Sequence, residues 1–169
     1  MKTHAVANRW MPLFGWMLLI FIGSTDVLSA EQTSRLVVPF LLWLDPQETV
    51  GTITTVHFAL RKLGHVAEYA ILATLLWCAL RSTLIAFRSF VIVGFVLFAS
   101  AVFAASDEIH QSFVPSRTAS PKDVMIDICG AALALAICFA LRRRSQRTRE
   151  GGRIWNLNNA SLTRRRPCR

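Results

Sequence analysis

Residues 89–117 read SFVIVGFVLFASAVFAASDEIHQSFVPSR. No charge occurs from Ser89 to Ser106, and then Asp107, Glu108 and His110 fall within four positions. At about 1.5 Å of rise per residue the apolar part approaches the length needed to cross a hydrocarbon core. Its ionisable end belongs at a membrane boundary, because a charged side chain facing lipid is costly. Three further stretches have the same length and character: Trp10–Thr25, Leu63–Leu80 and Val124–Leu141. The sequence therefore predicts an all-α integral membrane protein built as a four-helix transmembrane bundle over residues 1–142. The run Leu36–Leu44, nine residues including Pro39, is too short to span and is expected as a short interfacial or re-entrant segment in the first outer loop.

Composition supports this reading. With 53% hydrophobic residues, 17% charged residues and a mean hydropathy of +0.43, the 169-residue chain is too apolar for a soluble domain of its size. A formal net charge of +9 raises the prospect of a nucleic-acid partner. The basic residues lie beside the apolar segments or in the Arg-rich tail 143–169, however, so the charge reads as membrane topology, and no nucleic acid is expected. Asp107-Glu108-x-His110 also matches a helicase motif, but that motif works only inside a soluble nucleotide-binding domain. The tail lacks apolar periodicity and is expected to be disordered. Cys78, Cys129, Cys138 and Cys168 show no paired spacing and are read as small core residues.

Lys2, Arg9, Arg81, Arg88 and the ten arginines from Arg142 to Arg169 fall on one side of the spans, which makes that side and both termini cytoplasmic. Lys2, Arg9 and the apolar run Leu13–Ile22 ahead of Ser29-Ala30 also imitate a cleavable signal peptide, and removal there would leave the other helices oriented as before. On the outer side, Asp45-Pro46-Gln47-Glu48 and Ser120-Pro121-Lys122-Asp123 each offer a cap, a first-turn proline and an acid, and so are expected to start helices. In the last span Gly130 with Ala134, and Ala132 with Ala136, stand at the small-xxx-small spacing that admits close helix contact.

The antiparallel crossings bring the start of the second span, the end of the third and the start of the fourth to one outer boundary. Arg61, His65 and Glu68 follow i, i+4, i+7 spacing, and Lys62, His65 and Tyr69 form the neighbouring stripe. Asp107, Glu108, His110, Gln111 and Arg117 belong to the third span and its outer loop, and Asp123 and Asp127 sit one turn apart at the start of the fourth. The inner ends hold no acid or histidine. One polar cup follows, with His65, Glu68, Asp107, Glu108 and His110 as candidate acid–base residues. Arg61, Lys62, Tyr69, Gln111, Arg117, Asp123 and Asp127 are candidate binding residues. The bland alternatives are a His65–Glu68 pair that locks helices together, and Asp127 paired with Arg61, Lys62 or Arg117.

In order and spacing, Arg61-Lys62-x-x-His65-x-x-x-Tyr69-x-x-Leu72, then Asp107-Glu108-x-His110-Gln111-x-Phe113-Val114-Pro115-x-Arg117, then Asp123 ahead of Gly130-Ala131, resemble the VanZ-like family over residues 10–142. Asp127 stands where that family carries a polar asparagine. The family is named for a bacterial protein associated with teicoplanin resistance, so the resemblance implies a multi-pass protein of the bacterial cytoplasmic membrane. Among functions, the first is a site that binds or acts on an anionic lipid-linked cell-envelope precursor or a lipophilic glycopeptide, with membrane lipids as surroundings. A second is a divalent-metal-dependent intramembrane enzyme using His65, Glu68, Asp107, Glu108 and His110 as ligands, although neither spacing matches a specific metal motif. A third is a small structural or partner-binding subunit. No cofactor motif occurs, no nucleophile stands out, and no feature sets an oligomeric state.

Overall fold

The computed structural model describes residues 2–25, 30–44, 49–84, 86–114 and 120–163. They form five helices: α1 Lys2–Gly23, α2 Ala30–Leu44, α3 Val50–Thr83, α4 Ser89–Ser112 and α5 Pro121–Thr163. No strand occurs among the described residues. The chain divides into two compact units, Met1–Leu135 and Ala136–Arg169. Among the described residues three helices are long and apolar enough to cross a bilayer, Val50–Thr83, Ser89–Ser112 and the Pro121–Thr148 part of α5. The chain is a membrane protein, and α1, the expected first span, is not among those three.

Inside the first unit each helix buries one stripe. On α4 it runs Ile92, Val96, Ser100, Ala104, Asp107, Glu108 and Gln111, the i, i+4 and i, i+3 steps of a single helix face. On α3 it includes His65, Tyr69, Leu72, Ala73 and Trp77. On α1 it is Leu13, Ile20 and Ser24. The opposite faces carry Phe14, Leu18, Leu19, Phe90 and Phe98 in the open, a display of large apolar side chains that suits lipid and not water.

Polar contacts set the directions. Trp10 near the start of α1 donates its indole N–H to Thr83 Oγ1 at the end of α3 at 3.3 Å, and Trp16 donates to the Glu68 carbonyl at 3.0 Å. Arg81 Nη1 donates to Ser89 Oγ at 2.8 Å, joining the end of α3 to the start of α4. α1 and α3 are therefore antiparallel, as are α3 and α4. The end of α1, the early part of α3 and the end of α4 share the other boundary.

Several expectations change. α3 begins at Val50, and its cap is Thr49, whose hydroxyl accepts from Thr52 N–H at 3.3 Å; Asp45–Glu48 lie outside the described residues. The second expected start holds: α5 begins at Pro121, with Ser120 Oγ accepting from Lys122 N–H at 3.3 Å. The segment expected at Leu36–Leu44 is part of a longer helix, α2, which packs on α3. Its fifteen residues give about 22 Å, still short of a span.

The tail, expected to be disordered, is helical through Thr163; its first part, Leu141–Glu150, is rich in Arg, a good helix former. Cys78 and Cys129 are exposed, each off the packed stripe of its helix, and Cys138 is half-buried; Cys168 is outside the described residues. Gly130 and Ala134 face inward as the spacing predicts, whereas Ala132 and Ala136 are exposed, since a helix turns their row away from the buried one.

Candidate functional site

A ladder between two parallel helices forms the core of the site. α3 and α5 both run inward from the same boundary, and their facing residues pair in register. Lys62 Nζ bonds Asp123 Oδ1, and one turn deeper His65 Nδ1 meets Asp127 Oδ1 at 3.2 Å. Asp123 and Asp127 are almost fully buried. One rung further in, Gly130 lies against the Val66 backbone; a Cβ there would sit 2.5 Å from the Val66 carbonyl oxygen. The absent side chain is what lets α5 come close enough for the two rungs above it to close.

α4 contributes the other acids. Asp107, Glu108 and Gln111 are all buried at its end, on one face. Gln111 Nε2 donates to Asp107 Oδ2 at 2.9 Å and lies 3.3 Å from Ser24 Oγ, which ties the end of α1 into the group. Glu108 accepts the backbone N–H of Ser120, the residue that caps α5. That amide is normally satisfied by the acid three residues into the helix. Here Asp123, the residue in that position, is committed to Lys62, and the acid from α4 takes its place.

At the centre Tyr69 is fully buried, and its hydroxyl has no hydrogen-bond partner among the described residues. The charges of Asp107, Asp127, Glu68 and Glu108 all bear on it. Gln111 Oε1 is likewise buried and unpartnered among those residues, as is Ser100 Oγ three turns deeper on the α4 stripe. Buried polar groups normally find a partner, so these atoms are the ones in the cup with hydrogen-bonding capacity left over among the described residues.

The structure thus gathers Lys62, His65, Tyr69, Asp107, Glu108, Gln111, Asp123 and Asp127. Among the described residues Asp127 pairs with His65 and not with Arg61 or Lys62, because parallel packing sets Lys62 opposite Asp123 and leaves His65 opposite Asp127. Glu68 is half-buried and adds its charge to the field at His65. Arg61 is half-buried, with Nε and one Nη buried and unpartnered among the described residues. His110 stands apart: its ring stacks on Phe21 at 4.5 Å, and among the described residues its Nε2 has no hydrogen-bond partner. Arg117 lies outside the described residues. Among the described residues no three of His, Cys, Asp and Glu converge as metal ligands.

Sequence reasoning missed Ser24, Trp16 and Ser120 as members of this environment. Ser24 was within reach, as a polar residue seven and eleven positions beyond Met17 and Leu13 on the same α1 stripe. Trp16 and Ser120 engage through a neighbour's carbonyl and a backbone amide, which no residue pattern announces.

No curated protein and no solved structure matches the chain. The profile of the VanZ/LLP1 family matches residues 10–142, which takes in every residue of the cup and ends before the Arg-rich tail. On that match over most of its length, the chain belongs to the VanZ/LLP1 family.

Proposed function

We propose that the protein is a four-span member of the VanZ/LLP1 family in the bacterial cytoplasmic membrane, both termini cytoplasmic. Its polar cup at the outer boundary binds, or acts on, the headgroup of an amphipathic envelope molecule: an anionic lipid-linked precursor or a lipophilic glycopeptide. α1 serves as the fourth span, in keeping with its 22 residues and its exposed Phe14, Leu18 and Leu19. The observation that carries the reading is the concentration of four buried carboxylates with His65 and the unpartnered Tyr69 hydroxyl at one end of the helices. Because Lys62 and His65 are each held by an aspartate, the cationic part of a headgroup site falls to Arg61 and Arg117, and acid–base work to Glu108 and Asp107.

The ladder also supports a second reading, a structural subunit, since Lys62–Asp123 and His65–Asp127 join helices whatever else they do. One variant set decides between the two. Glutamine at position 108 keeps an oxygen for the Ser120 amide but loses the charge, whereas alanine loses both. In a glycopeptide-resistance or envelope-stress assay with membrane abundance followed by blotting, Glu108→Gln and His65→Ala should each abolish function at normal abundance. The pair together should be little worse than either alone, as expected of groups acting as a unit. If Glu108→Gln is silent and only Glu108→Ala fails, together with its abundance, the cup is a folding device and the binding reading falls.

A further inference from the structure

The second unit carries a feature that the cup does not use. Along one side of α5, Ala136, Phe139, Ala140, Arg143, Arg144 and Arg147 line a groove of about 440 Å³. The order is apolar first and basic last. Ala136, Ala140 and Arg147, with Arg143 or Arg144 between, follow the i, i+4, i+7/8, i+11 steps of one stripe. The two alanines leave a shallow channel beside the Phe139 ring, and the Arg143 guanidinium stands 5.8 Å above that ring, which holds it at the mouth of the channel. Arg144 and Arg147 are exposed, and α5 has no acid of its own from residue 128 to residue 149 to neutralise them. Three guanidinium groups gathered at the end of an apolar channel match a phosphate diester that carries an acyl chain. The chain lies along the alanines, and the phosphate oxygens accept from the arginine forks.

We propose that this arginine stripe is a site for one anionic phospholipid in the leaflet on the arginine side of the membrane, with Arg143, Arg144 and Arg147 on its phosphate. The arrangement depends on α5 staying helical through these residues, as it does; in an irregular tail the three would not share a side. A diffuse attraction of basic residues for an anionic surface depends on charge number, and a site depends on position.

The full chain, purified and exchanged into vesicles of phosphatidylglycerol mixed with phosphatidylcholine, is released for native mass spectrometry to count retained lipid. Phosphatidylglycerol should be retained in preference to phosphatidylcholine. The variant Arg143→Gln, Arg144→Gln, Arg147→Gln should lower that preference by about tenfold or more, while Arg164→Gln, Arg165→Gln, Arg166→Gln, which removes the same charge, should leave it nearly intact. Inorganic phosphate should not displace the lipid. Equal losses from the two triple variants would reduce the stripe to generic charge, and displacement by inorganic phosphate would show that the acyl channel has no part. Phe139→Ala keeps every charge and should weaken retention if the channel holds the chain; retention at the parent level would also overturn the site.

Discussion

Tyr69 is the residue whose burial is hardest to explain by packing alone. Its ring fills the core between α3 and α4 and tilts against Phe103 at 6.3 Å, but its hydroxyl finds no partner among the described residues. Tyr69→Phe removes an unsatisfied buried group and leaves the shape, so the thermal midpoint in detergent should hold or rise; a clear drop would reveal a partner. Loss of function at that unchanged stability would put the hydroxyl on the guest. Gly130 makes the opposite case. A methyl group there meets the Val66 backbone, which cannot swing aside as a side chain can, so Gly130→Ala should cost about 1–3 kcal/mol and loosen both ladder rungs. Gly64→Ala is the control: nothing lies within 4 Å of its added carbon, and a helical glycine replaced by alanine gains up to about 1 kcal/mol. Denaturation of the two variants side by side checks both signs.

At the scale of elements, the ladder between α3 and α5 makes its two rungs a coupled unit. Removing either aspartate leaves a cation beside the core without its anion, which costs more than the pair contributes when intact. Lys62→Met with Asp123→Leu should therefore be less destabilising than Asp123→Leu alone, a difference that a double-mutant cycle reads directly. The identity of the ladder residues was legible in the sequence, because His65, Asp123 and Asp127 are ionisable groups in or beside apolar stretches and have few places to go. Their pairing was not. Whether α3 meets α5 with Lys62 or Arg61 opposite Asp123 depends on helix rotation, which Gly130 and Val66 settle through a backbone contact that no side-chain pattern encodes. The small-residue spacing pointed to two candidate rows, and only packing against α3 chooses Gly130–Ala134 over Ala132–Ala136. The helical course of the tail was misread for a related reason: absence of an apolar stripe was taken as absence of helix, although Arg, Gln and Glu hold a helix by propensity.

For the whole molecule, the charge asymmetry sets the expected orientation, and labelling tests it. In a cysteine-free background, an impermeant maleimide on intact cells should modify Ser116→Cys and spare Ser145→Cys; the reverse would turn the cup toward the cytoplasm. The cross-helix cap described above bears on biogenesis. Synthesis delivers α4 before α5, so the carboxylate that receives the first amide of α5 is already in place when Ser120 leaves the ribosome. The start of the last span thus docks on its predecessor, and the two are expected to enter the bilayer together as a hairpin. Moving Ser120 by even one residue would detach it from Glu108, so insertions between Phe113 and Ser120 should trap nascent chains for proteolysis, whereas equal insertions near Ala86, where the link between helices is the Arg81–Ser89 side-chain bond and no side chain caps α4, should be carried through to the mature protein.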